Sequence, residues 1–199
     1  MSGLRLDKNA KKIVPIAIVM FAGIVLASVF VYNPITGRLV TTTPAIIFQP
    51  GANAGQADLG NNNTITVSLS PSQTSASVLL HPTYQKTYYK DILEVNNTDA
   101  NTTYYILLRV TDPLDDAKVV EAFAYLKDTG GTLLATLDLT VAGTETVWIP
   151  IPANTVYIID FSFVISDGAG DSPNTAPSLT DTQFAIDLIY STSGTEAAP

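Results

Sequence analysis

The sequence predicts an all-β fold, and three features carry that prediction. From residue 63 onward apolar and polar residues alternate along much of the chain, the period that turns one face of a strand toward a core. The apolar positions are rich in Val, Ile, Leu, Tyr and Phe, with Thr between them, and these residues suit a pleated, half-buried surface. Turn chemistry recurs between the runs, at Asn61-Asn62-Asn63, Ser70-Pro71, Asn96–Asn101, Asp112-Pro113, Asp128–Gly131, Ala142-Gly143, Ile151–Asn154 and Asp167–Ser178. The strands so delimited are Ala45–Phe48, Thr64–Leu69, Ser75–Leu80, Thr87–Val95, Thr103–Val110, Val119–Leu126, Thr132–Leu139, Thr144–Ile149, Thr155–Ile165 and Gln183–Tyr190. Strands at this spacing predict a β-sandwich with Greek-key elements.

Individual elements differ in how firmly the pattern defines them. Val119, Ala122, Phe123 and Leu126 stand at helical spacing, with Asp115 or Asp116 as a cap and Gly130-Gly131 as a stop. The same residues alternate as a strand, and Asp128-Thr129-Gly130-Gly131 followed by Thr132–Leu137 reads as a hairpin return. The hairpin is the reading adopted. Thr155–Ile165 places Tyr157, Ile159, Phe161, Phe163 and Ile165 on one face and Val156, Ile158 and Val164 on the other. Apolar residues on both faces predict a central strand. Gln183–Tyr190 has Phe184, Ile186, Leu188 and Tyr190 on one face, as a strand with one buried side requires, and residues 191–199 have no apolar pattern and predict a mobile tail.

The N-terminus is of another kind. Ile13 to Tyr32 is an unbroken run of apolar or small residues behind Arg5, Lys8, Lys11 and Lys12. About 20 such residues would span roughly 30 Å as a helix, enough to cross a bilayer. Val25-Leu26-Ala27 offers the small residues of a signal-peptidase site, and a cut after Ala27 leaves a hydrophobic region of secretory length. The predicted organisation is therefore a secretory segment 1–27, a strand and linker 28–48, a β domain 49–190 and the tail. Retention of residues 13–32 as a membrane anchor is the alternative.

Loss of residues 1–27 removes those four basic residues and Asp7, which leaves six basic and 17 acidic side chains and a formal charge of −11. The six, Arg38, Lys86, Lys90, Arg109, Lys118 and Lys127, are scattered, which argues against a nucleic-acid partner. There is no cysteine, so stability outside the cell must come from packing, glycans, ions or assembly. Three sequons, at Asn62, Asn96 and Asn101, agree with export. Asn96 and Asn101 flank one turn, and both are expected to carry glycans.

Catalytic chemistry is poorly supplied, and no enzymatic activity or cofactor is expected. The single histidine, His81, precedes Pro82 at a strand end and reads as a loop histidine. One histidine and no cysteine leave little for zinc or thiol chemistry. Gly168-Ala169-Gly170 lacks the lysine and helix of a phosphate loop. Asp167, Asp171 and Asn174 are weak candidates for a structural calcium, without EF-hand spacing. Tyr88-Tyr89 and Tyr104-Tyr105 could stack on a sugar or base, but adjacent strand positions face opposite ways, so one ring of each pair is assigned to the core.

Residues 74–110 read TSASVLLHPTYQKTYYKDILEVNNTDANTTYYILLRV. This stretch resembles the extracellular fibre proteins of the TasA and camelysin family, in which a SASVxL strand leads to an alternating strand, an Asn-rich turn and a long apolar strand. The Thr-, Tyr- and sequon-rich style, without a long helical insertion, is closer to the archaeal bundling pilins. The resemblance implies a jelly-roll-like sandwich, and a secreted cell-surface filament in which the N-terminal strand of one subunit completes the sheet of the next. Implied partners are identical subunits in a homopolymer, neighbouring filaments in bundles and signal peptidase, with the membrane involved only before processing. The donor strand would be Ser28-Val29-Phe30-Val31-Tyr32, exposed by cleavage after Ala27 and rich in β-branched and aromatic residues. Alternatives are a membrane-anchored surface sandwich, such as an adhesin or envelope component, and a type IV pilin-like subunit. The pilin is disfavoured because Leu4-Arg5-Leu6-Asp7-Lys8 is too charged to open its helix.

Overall fold

The computed structural model describes residues 37–167, 177–180 and 182–197. The chain divides into a unit up to Thr41 and a unit from Thr42 onward. Of the first, residues 37–41 are described; they are exposed and form neither helix nor strand. The leader, the cleavage site at Ala27, the apolar run Ile13–Tyr32 and the strand expected at Ser28–Tyr32 lie outside the described residues. Among the described residues no helix is long and apolar enough to cross a membrane.

The second unit is all-β. Ten strands run in the order β1 (Ile46–Pro50), β2 (Thr66–Leu69), β3 (Ala76–Leu79), β4 (Gln85–Asn97), β5 (Tyr104–Asp112), β6 (Val119–Asp128), β7 (Leu133–Asp138), β8 (Ile149–Ile151), β9 (Val156–Ile165) and β10 (Ala185–Ser191). They form three open antiparallel sheets: a five-stranded sheet β1-β4-β9-β6-β7, a three-stranded sheet β10-β5-β8 and a two-stranded sheet β2-β3. β9 is central, bonded to β4 on one side and β6 on the other, as its two apolar faces predict. Residues 119–138 form the β6–β7 hairpin, so alternation prevails there over helical spacing.

All three sheets contribute to one hydrophobic cluster. Val95 of β4, Ala124 and Leu126 of β6 and Tyr157, Ile159, Phe161 and Phe163 of β9 join Ile106, Leu108 and Val110 of β5 in it, while Val67, Ala76 and Val78 of β2 and β3, partly buried, pack against it. Burial of each such large side chain is worth about 1.5–3 kcal/mol, so the inner face of β9 is a principal source of stability. The tyrosine pairs behave unequally. Tyr89 is buried and Tyr88 exposed, as expected, but Tyr104 and Tyr105 are both half-buried.

Three expectations need correction. The strand expected at Thr144–Ile149 is instead Ile149–Ile151, with Glu145 contributing a single bridge to Arg109. Ile149 and Ile151 point into the core and Pro150 outward, and a proline is tolerated in an edge strand because its missing N–H can face away from the ladder. β4 is longer than expected and carries a bulge between Tyr89 and Leu93, where Asp91 has φ of 52°. The boundary expected at residue 49 cuts through β1, which pairs with β4 along its whole length. Residues 191–196, in the expected tail, make contacts with the domain. Trp148 Nε1 donates to the Glu196 carbonyl at 2.9 Å, Ser191 Oγ donates to Glu196 Oε2 at 2.7 Å, and Gly194 sits so close to Tyr105 that a Cβ would lie 2.6 Å from its ring.

Candidate functional site

The two smaller sheets each end on an edge with no strand beside it among the described residues, β3 in one and β10 in the other. A groove of about 840 Å³ runs between these edges. Residues 74–79 form one wall, residues 182–188 the other, and Leu93, Leu108, Ile159 and Phe161 the floor. The floor residues all belong to the buried core. Ala76 and Val78 of β3 and Ile186 and Leu188 of β10 also pack against that core, yet they are only half-buried. An unpaired edge presents a row of free backbone donors and acceptors. Two such edges across an apolar floor make a slot that one added strand can fill with both hydrogen bonds and side chains.

A second cavity of about 500 Å³ shares Val78, Leu79, Thr182 and Phe184 with the groove, and so opens from one end of it. Leu80, which follows β3, and Phe184, which precedes β10, both line it. The two edges therefore run in opposite senses, and a strand laid between them is parallel to one and antiparallel to the other. His81 lies on the rim of this cavity. Its backbone N–H donates to Asp58 Oδ2 at 2.8 Å, and its Nδ1 meets the same oxygen at 2.9 Å. Burial, and then the Asp58 carboxylate, push Tyr89 well above the usual phenol range. The pair clips the β3–β4 connection to the loop before β2.

The opposite face of the five-stranded sheet carries a polar cluster that the sequence did not disclose. Asp160, in the middle of β9, is 1% exposed. Its Oδ2 accepts from Tyr88 Oη at 2.5 Å and Lys127 Nζ at 2.8 Å, and its Oδ1 accepts from the Asp91 backbone N–H at 2.6 Å. Lys127 Nζ also lies 5.3 Å from the centre of the Tyr88 ring, within cation–π range. Burial alone would raise the Asp160 carboxyl. The hydrogen bonds from Asp91, Lys127 and Tyr88, together with the Lys127 charge, outweigh burial and hold it below the ordinary value. The Asp91 bond pins the bulge of β4, whose outer side is held by Gly51 N–H to the Ile92 carbonyl at 2.9 Å and Asn53 N–H to the Asp91 carbonyl at 3.0 Å. At Gly51 a Cβ would run into the Asp91 carbonyl. The bulge in turn sets Leu93 into the groove floor.

The sequons are placed differently from one another. Asn62 and Asn101 are exposed, Asn62 in a turn with φ of 63°. Asn96 is half-buried inside a ladder, opposite Ile47 on one side and Val156 on the other, and its Nδ2 donates to Gln49 Oε1 at 3.2 Å. A glycan on that nitrogen would displace Gln49. In glycopeptide mass spectra of native protein, Asn62 and Asn101 are therefore expected to be modified and Asn96 bare. Occupancy at Asn96 with Asn101 empty would overturn this assignment. The neighbouring Asn97 is fully buried, and the two N–H groups on its Nδ2 are shared among the carbonyls of Thr102, Ile151 and Pro152 at 2.9, 3.0 and 2.9 Å. It ties the β4–β5 turn to β8. Asp167 is exposed, and Asp171 and Asn174 lie outside the described residues. Among the described residues no group of three or more His, Asp or Glu is arranged to hold a metal ion. No protein-family model matches this sequence, and no curated protein matches it.

Proposed function

We propose that this protein is the structural subunit of a secreted, extracellular filament whose copies join by donor-strand complementation. In this reading the β2-β3 and β10-β5-β8 sheets are two parts of one layer with the groove between them. Residues 28–32 of a neighbouring copy fill the gap, and the completed layer faces the five-stranded sheet as a jelly-roll-like, Greek-key sandwich. The observation that carries the proposal is the groove itself, floored by core residues and walled by two unpaired edges. The wall strand β3 lies within the stretch that resembles the TasA and camelysin proteins. The segment Ser28–Tyr32 supplies the composition that such a slot accepts. Signal peptidase would release the strand by cutting after Ala27, and lateral contacts between filaments would make bundles.

The test is a pair of double substitutions, Val29→Asp with Val31→Asp, and Phe30→Asp with Tyr32→Asp. One of the two pairs must point into the neighbour, and burying two charges there is far more costly than any remaining contact can offset. Export is expected to persist while at least one pair abolishes filaments in electron micrographs of the cell surface. Filaments of normal length with both variants would rule out this junction. The second reading, a surface domain anchored by an intact Ile13–Tyr32, is favoured by the unbroken length of that run. It predicts that surface material retains the Met1–Lys12 leader in its mass spectrum.

A further inference from the structure

We infer that the aromatic face of the donor segment, Phe30 and Tyr32, is the one that enters the groove, with one of the two rings seated in the cavity at its end. The inference rests on the donor-strand reading and adds to it the side chains that give the junction its register. Successive side chains of a strand face opposite ways, so either Phe30 and Tyr32 or Val29 and Val31 point inward. The groove does not end on a wall. It opens past Val78 and Phe184 into a further cavity of about 500 Å³, whose lining includes the buried core residues Phe163 and Ile165. Two valines would leave that volume unfilled, and unfilled apolar volume in a core is destabilising.

The cavity lining is also chemically suited to a ring. Phe184 already lies 5.8 Å from Phe161 and 6.2 Å from Phe163, centre to centre, so an incoming ring extends an aromatic cluster at the spacing such pairs prefer. Each ring can bury about 150–250 Å². His81 and Thr83 line the same cavity. Because Nδ1 of His81 is held by Asp58, its Nε2 is left to meet a tyrosine hydroxyl. The outward positions agree. Ser77 of β3 and Asp187 of β10, flanking the slot on its outer side, are exposed, and small β-branched Val29 and Val31 sit between them with less apolar area in water than two aromatic rings would leave.

The experiment adds synthetic peptides covering residues 28–40 to growing filaments of the full protein and follows growth by light scattering and electron microscopy. Three peptides are compared: the native sequence, Phe30→Thr with Tyr32→Thr, and Val29→Thr with Val31→Thr. Threonine keeps strand propensity in both variants, so the difference reads side-chain burial. The native and valine-substituted peptides are expected to cap growth at concentrations within about 3-fold of each other, and the aromatic-substituted peptide to need at least 10-fold more. If the valine-substituted peptide is the weaker, or both lose equally, the face assignment is overturned while the donor-strand junction stands. If no peptide slows growth, the native one included, the junction and the face assignment both fall.

Discussion

On the donor-strand proposal, replacing Val78 and Ile186 with lysine is expected to abolish filament growth while leaving the subunit folded. In the free subunit both side chains are half-buried on the walls of an open groove. A lysine can lay its stem on the apolar floor there and keep its ammonium in water, so the double variant should lose no more than about 2 kcal/mol of stability. Once a strand occupies the slot that escape is closed. Each junction then forfeits about 1.5–3 kcal/mol of apolar burial per position and must also desolvate a charge. The asymmetry separates assembly from folding: thermal melts of purified subunits should shift slightly, and electron micrographs should show no filaments. Lysine at Val120 and Leu133, exposed on β6 and β7 of the other sheet, is the control and should leave filament length unchanged. Full-length filaments from the Val78→Lys, Ile186→Lys protein would show that copies do not join through this groove.

Much of the fold was legible because alternation and turn chemistry are local signals. β9 could be recognised as central from its two apolar faces, and the β6–β7 hairpin from Gly130-Gly131. Three kinds of feature were not legible. The bulge in β4 depends on Gly51 and Asn53, some 40 residues earlier in the chain, and no local pattern marks it. Asn97 reads as one more turn residue, whereas the carbonyls it satisfies come from Thr102, Ile151 and Pro152. The groove lies between the edges of β3 and β10, which have no strand beside them among the described residues, and a sequence records which residues face inward without recording whether a neighbour covers them. One missed element did leave a trace. Asp160 is the only charged residue in the ten positions of β9, and a lone carboxylate in so apolar a strand calls for a partner.

That carboxylate sets the second large effect. Asp160→Asn and Lys127→Met are each expected to destabilise the subunit by about 3 kcal/mol near neutral pH, because each breaks a buried, hydrogen-bonded ion pair from one side. Lys127→Met should be the more damaging of the two. It strands the Asp160 charge with only Tyr88 and the Asp91 amide, whereas Asp160→Asn leaves Lys127 partly exposed and able to turn to water. The pH dependence has a definite sign. The folded-state pKa of Asp160 is depressed, so its contribution is fully present above its unfolded value of about 3.9 and is lost as pH falls through the folded value. Lys127 is raised, by its hydrogen bonds to Asp160 and then Tyr88, so its contribution is present below about pH 10.4 and is lost as pH rises through the folded value. The stability gap between native protein and Asp160→Asn should thus be flat from about pH 5 to 9 and narrow at both extremes. Denaturant melts of purified subunits from about pH 2 to about pH 11 measure it, and a gap independent of pH down to the acid limit would mean that Asp160 is not held as a paired carboxylate. Because the same carboxylate pins the bulge that places Leu93 in the groove floor, the donor-strand proposal further expects Asp160→Asn to slow filament growth at pH 7, with the defect easing in added stabilising osmolyte as the folded geometry is restored.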